Sequence, residues 1–275
     1  MKKVYSLLLA ATVSGAMFTS CQEQDAISSD SGISSELVSK LRVAGFSADD
    51  VVSTDGGYLV EGDIFMSAHD INNLSSAKVL NVEQYSTNNL VSTGGARNIT
   101  MYAPTGRKGY SAAMIAGLDE AISRYNAQGL EITFSRISSS RGADISMTRL
   151  SKRDERRGVL GSAGFPTASG DAYNNIKMSG ILESSYGLST DGIATIIGHE
   201  MGHCIGMRHT DYFDRSISCG GSTANEGDGG VGANHIPGTT TGADTSGAGS
   251  WMLACTDGGN RPFTNQDQTA LDYLY

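Results

Sequence analysis

The chain has 275 residues, 29 acidic against 20 basic side chains, a formal net charge of -9, a 39% hydrophobic share and 35 glycines. The acidic balance argues against nucleic acid or an anionic membrane surface as partner. Once a leader is set aside, the length leaves room for one catalytic domain and one small extra segment.

Met1-Lys2-Lys3, the apolar run Leu7 to Val13 and the small residues before Cys21 describe an export signal over residues 1–20, too short for a membrane-spanning helix. This end resembles a bacterial lipoprotein signal, which implies cleavage before Cys21 and a lipid anchor there. Phe18 and Thr19 depart from the leucine-led form, so a soluble secreted protein is the alternative. Either way the mature chain is expected outside the cytoplasm, as an outer-membrane or cell-surface lipoprotein or as a secreted protein. Export implies an oxidising compartment, and Cys204, Cys219 and Cys255 then suggest one disulfide and one free thiol, with the pairing left open.

Ser28 to Gly32 reads as a polar tether, and Leu37, Val38 and Leu41 give helical spacing behind Ser34 or Ser35 as N-cap. Tyr58 to Met66 reads as two short extended pieces around a turn. Asn81 to Gly95 is polar and rich in Gly, Ser, Thr and Asn, which suits a linker. Residues 21–97 are therefore expected to be a propeptide and linker, and residues 98–275 a catalytic domain. Within the latter, Ile99 to Tyr102, Leu130 to Phe134, Ala143 to Met147 and Asn175 to Met178 read as strands. A helix spans about Ser111 to Tyr125, with Met114, Ile115, Leu118 and Ile122 on one face. Ser189-Thr190-Asp191 offers an N-cap for a second helix through Ile193, Ile196 and Ile197. Thr210 to Gly249 shows no period and is expected to be an irregular wall of a cleft, and Phe263 to Gln268 opens a last helix ending near Tyr273.

The second helix carries His199-Glu200-Met201-Gly202-His203-Cys204-Ile205-Gly206-Met207-Arg208-His209, the pattern H-E-x-x-H-x-x-G-x-x-H, with three of the chain's five histidines. Histidines four apart stack on one helical face, so His199 and His203 can reach one zinc ion. Gly206 allows the helix to stop and turn back, which returns His209 as third ligand. Three protein ligands leave a position for water, whose pKa zinc lowers, and Glu200 stands beside it as general base.

This order of parts resembles the metzincin clan of zinc endopeptidases over most of Asn98 to Tyr275, and within it the dual-action HEIGH metallopeptidases, with Met201 in place of that name's isoleucine. The resemblance implies an α+β fold: a twisted mixed sheet, two long helices including the zinc helix, an irregular glycine-rich lower half and a C-terminal helix. It implies that Ser250-Trp251-Met252 is the Met-turn, with Met252 as a floor under the imidazoles. It also implies that Ala143 to Met147, around Asp144, is the edge strand that binds substrate. Ala254 stands where astacins place a zinc-contacting tyrosine. Glu61-Gly62-Asp63-Ile64 resembles the F-x-G-D segment of astacin propeptides, with Val60 in place of the aromatic. That implies Asp63 as an inhibitory zinc ligand in a latent precursor, against a plain surface turn as the alternative. Calcium is a further candidate ion for the loop carboxylates Asp211, Asp214, Asp228, Asp244 and Asp257, although no EF-hand spacing occurs. His69 and His235 read as solvated loop residues, with His235 as a second candidate for the substrate pocket. The pocket beside the zinc is expected to be built largely by Thr210 to Gly249. A monomer acting on protein or peptide substrates is expected. The competing class is a surface lipoprotein that binds protein or glycan around a structural zinc.

Overall fold

A computed structural model describes residues 32–48, 51–74, 84–107, 109–227, 231–240, 242–243, 245 and 247–275. The leader, Cys21, the tether up to Ser31, Asp228 and Asp244 lie outside the described residues.

The chain begins with α1 (Ser35–Val43), capped by Ser34, whose hydroxyl accepts from the Leu37 amide. A small antiparallel sheet follows, β1 (Val52–Thr54), β2 (Gly57–Val60) and β3 (Ile64–Met66), and then α2 (Ala68–Asn72), closed at its start by a reciprocal Ser67–Asp70 capping box. Leu37, Leu41, Phe46, Val60, Ile64 and Ile71 give this segment a core of its own.

Next come β4 (Tyr85–Ser86), β5 (Arg97–Tyr102), α3 (Ala112–Asn126), β6 (Ile132–Ile137), β7 (Ile145–Arg149), α4 (Lys152–Arg156), β8 (Gly161–Ser162) and β9 (Asn175–Met178). The chain continues with α5 (Thr190–Ile205), α6 (Ser216–Cys219), β10 (Asn234–His235) and α7 (Asn265–Leu274). The main sheet has the order β6-β5-β7-β9-β8, parallel except for β8, which runs antiparallel to β9. Its inward residues Ile99, Met101, Phe134, Ile145, Met147 and Ile176 pack under α3 and α5. This is the expected α+β architecture of a mixed sheet under two long helices. No helix of the described residues is long and apolar enough to cross a membrane.

Three expectations need correction. β7 is not an edge strand: β5 and β9 flank it, and the edges are β6 and the antiparallel β8. The alternation in Ile145 and Met147 reports burial on a paired strand, whereas two residues beginning with glycine are too few to show a period. β6 begins two residues later than expected, because Glu131 donates its amide to the Tyr275 carbonyl before pairing with β5 starts at Ile132. The polar stretch expected as a linker is packed from Gln84 onward. Gln84 and Tyr85 are buried, β4 pairs with β10, and the Thr87 amide donates to the Gly206 carbonyl at 2.8 Å. Its side chains satisfy buried partners: the Gln84 amide donates to Asp267 Oδ1.

α3 and α5 approach closely at Gly117, where a Cβ would stand 2.4 Å from Ile193 Cγ2. Ile193 is β-branched, helical and buried, so it has little room to yield. Gly117→Ala is therefore expected to destabilise the fold by about 1–3 kcal/mol through overpacking. Urea denaturation checks this, and an unchanged midpoint would contradict the tight crossing.

Candidate metal centre

α5 starts at Ser189, whose hydroxyl accepts from the Gly192 amide, and every residue from Gly192 to Ile205 is buried. His199 and His203 lie one turn apart with ring centroids 4.7 Å apart. The helix ends at Gly206, at φ 105°, a left-handed conformation that a side chain would strain. The Met207 amide reaches back to the Gly202 carbonyl, and the Arg208 amide donates to the Tyr85 carbonyl on β4. That returns His209 to the helix face, with its ring 5.2 Å from His199 and 4.9 Å from His203.

Each imidazole is oriented through Nδ1. His199 Nδ1 lies 2.9 Å from the Trp251 carbonyl, His203 Nδ1 2.9 Å from the Met207 carbonyl, and His209 Nδ1 2.7 Å from Glu226 Oε1. These oxygens only accept, so each Nδ1 carries a proton and each ring presents its Nε2 to the shared point. Among the described residues, the Nε2 atoms of His199 and His203 are buried with no hydrogen-bond partner. Such atoms are costly unless something else meets them. Three nitrogens and the Asp63 carboxylate, with ligand atoms all within 4.8 Å of one another, can hold a metal ion. Imidazole and carboxylate donors suit zinc.

Asp63 sits in the turn between β2 and β3, and its Oδ2 is 3.3 Å from both His199 Nε2 and His209 Nε2. Burial works to raise its pKa, but the facing histidines outweigh that and hold the carboxyl well below the usual range. The segment is anchored on the residue that follows β8: the Ala163 amide donates to the Asp63 carbonyl and the Phe65 amide to the Ala163 carbonyl. Ile64 and Ala163 pair in parallel.

Glu200 is buried beside this group, and among the described residues its Oε2 has no hydrogen-bond partner. Burial first, and the Asp63 charge second, push its pKa well above the usual carboxylate value. Gly161 on β8 makes room for it, since a Cβ there would lie 2.4 Å from Glu200 Oε1. A cavity of about 320 Å³ opens next to His199 and Glu200. Its walls come from Gly158 to Gly161, Ile196, Trp251 and Leu253 to Thr256, and from Thr210 to Gly249 only Arg215 contributes among the described residues. The expectation that the glycine-rich stretch builds this pocket is thereby corrected. That stretch supplies support instead, notably Glu226 and the Cys219–Cys255 disulfide, while Cys204 is a buried free thiol.

A buried charge cluster backs His209. Glu226 stands 3.1 Å from Arg215 Nε and 3.6 Å from Arg208 Nη2, and Glu61 stands 3.8 Å from Arg208 Nη2. Burial favours the neutral form of Glu226, but His209, Arg208 and Arg215 outweigh it and lower its pKa. Sequence reasoning missed Glu226, Glu61 and both arginines, because contacts between distant segments leave no local spacing.

Met252 lies fully buried in a turn, and its Sδ would meet a Cβ at Gly202 at 2.5 Å, so it packs against the helix at Gly202, between His199 and His203 in the chain. The Thr210 amide, next to His209, donates to the Met252 carbonyl at 2.9 Å. The loop aspartates are engaged otherwise: Asp211 accepts from Ser218 Oγ and the Ala254 amide, Asp214 from the Ser216 amide and Asp257 from the Gly259 amide. Among the described residues none of them belongs to a group able to hold an ion. His235 lies in β10 opposite Tyr85, within a strand pair and not in a solvated loop, and exposed His69 lies on α2, not in a loop, with its ring against the C-cap residue Asn73.

The sequence pattern of the dual-action HEIGH metallo-peptidase family matches residues 58–275. No curated protein sequence matches the chain. Among solved structures, the crystal structure of myroilysin is similar at 12% identity and a TM-score of 0.35, covering 71% of this chain and 96% of that one. The GM1-bound form of the ECX AB5 holotoxin is similar at 15% identity and a TM-score of 0.34, covering 72% and 81%. With the histidine cluster in place and the family pattern running from β2 to the last residue, the chain belongs to the dual-action HEIGH metallo-peptidase family and is a metallopeptidase of protein or peptide substrates.

Proposed function

We propose that the protein is an exported zinc endopeptidase of the metzincin type, made as a latent precursor. The observation that carries this reading is the convergence of three imidazole Nε2 ends and the Asp63 carboxylate on one point, with the buried carboxyl of Glu200 beside it. His199, His203 and His209 would hold the zinc, and Asp63 would be its inhibitory ligand. When bound, zinc supplies Lewis acidity, polarising the scissile carbonyl and lowering the pKa of the attacking water. Glu200 takes the proton from that water and passes it to the leaving amine. Its burial beside His199, in the wall of the same cavity, places its carboxylate within reach of both transfers. Met252 beneath Gly202 and the uninterrupted motif support the metzincin type. Export, and anchoring through an acylated Cys21, rest on the leader sequence alone.

Casein cleavage by full-length, zinc-loaded protein after limited proteolysis tests the chemistry. Glu200→Ala should lower the rate by at least about 10²-fold with zinc still bound; activity that survives this change or strong chelation would sink the mechanism. Asp63→Ala should raise the activity of the uncut precursor, and equal latency of the two proteins would remove Asp63 from the account. Glu226→Gln leaves His209 without its charged acceptor and should weaken zinc affinity about 10–100-fold. Titration against a competing chelator reads this out, and unaltered affinity would refute it.

A further inference from the structure

The cavity beside His199 and Glu200 is apolar along Val159, Leu160, Ile196 and Leu253, yet it also carries Arg215 and Arg261. Its carboxylates among the described lining residues are Glu61, Asp63 and Glu200. Glu61 and Asp63 belong to the segment that the latent-precursor reading removes on activation. The mature cavity then keeps both arginines and loses two of three carboxylates.

The two arginines are not equivalent. Arg215 has its own counter-ion in buried Glu226, 3.1 Å from Nε. Arg261 has a side chain only 9% exposed, and its ion-pair partner Asp257 stands 3.8 Å away and is 75% exposed. Its Nη1 donates to the Cys255 carbonyl at 2.8 Å, and among the described residues its buried Nε has no hydrogen-bond partner. A buried cation this weakly neutralised favours a ligand that brings an anion into the same space.

We propose that Arg261 makes this cavity a pocket for an acidic side chain, so that the enzyme cleaves next to aspartate or glutamate. The inference rests on the peptidase reading above. Glu61 and Asp63 line the same cavity in the latent form, a substrate carboxylate enters it after activation, and the apolar walls hold its methylene stem.

Two measurements test it. Full-length zinc-loaded protein, activated by limited proteolysis, is given peptides that differ only in carrying Glu or Asp against Gln or Asn at either position flanking the cleaved bond. The acidic peptides should be preferred by about tenfold or more in kcat/KM at one of those positions, as expected for a charge-assisted hydrogen bond. Arg261→Gln should bring the ratio close to one, and Arg261→Lys should restore most of it. Binding of the same acidic and amide peptides to the Glu200→Ala protein, followed by fluorescence anisotropy, should show the same preference without turnover. A wild-type ratio near one, or a preference that survives Arg261→Gln, overturns the assignment of Arg261. Failure to cleave any peptide would instead overturn the peptidase reading, and the two failures are thereby distinguished.

Discussion

Three imidazoles can serve one metal only if each shows it the same end, and that constraint organises the rest of the structure. A helix provides two histidines on one face but says nothing about which nitrogen points out. The tautomer is set by an acceptor at Nδ1, and the three acceptors come from three places: the carbonyl of Trp251, the carbonyl of Met207 and the carboxylate of Glu226. Each acceptor needs support of its own. Trp251 donates from Nε1 to the Gly198 carbonyl, which also receives the Tyr125 hydroxyl from α3. Its amide lies near Asp267, a buried carboxylate that also accepts from Gln84, Ser250 and Thr264. The C-terminal helix and the stretch before β5 therefore fix the orientation of His199 without approaching it.

The same logic accounts for the buried charges. A carboxylate at Nδ1 holds His209 more firmly than a carbonyl would, but a buried carboxylate must be balanced. Arg208 and Arg215 balance Glu226, and Arg208 in turn faces Glu61 while lying over the rings of Phe46, Phe165 and Tyr212. The third histidine thus brings a chain of charges that runs from the glycine-rich stretch into the N-terminal segment.

Legibility in the sequence followed the range of the interaction. The zinc helix, its Ser189 cap and its stop at Gly206 are local, and the spacing of one segment described them. The turn at Glu61 to Asp63 was also local, because Gly62 and the extended residues around it mark a bend. The edge strand was misplaced because burial of Ile145 and Met147 gives the same alternation whether or not a strand has two neighbours, while Gly161-Ser162 is too short to announce itself. Gln84 to Thr87 looked like linker because polar side chains that satisfy buried partners have the composition of polar side chains in water. Glu226 sits among glycines and asparagines with no period, so only the folded chain shows that it meets His209.

Glu61 joins the charge network behind His209 to the turn that carries Asp63. It adopts φ 56°, a left-handed conformation that costs a non-glycine residue roughly 1–2 kcal/mol, and its carboxylate is also buried, which by itself favours the neutral form. Burial and then the Glu226 charge favour the neutral carboxyl, and the Ser47 amide, which donates to Oε1 at 3.0 Å, and Arg208, 3.8 Å from Oε2, offset only part of this. The strained backbone turns the chain so that Asp63, two residues on, reaches the histidines, and Gly62 at φ 97° completes the bend. Val60 and Ile64 on either side are locked into the segment's own core, so the bend cannot relax without opening that core. If Asp63 is the brake proposed above, its hold on the centre depends on contacts at Ser47, Arg208 and this small core as much as on the histidines it faces. A cut that frees the segment from its core would then release Glu61 and Asp63 together, because one bend positions both.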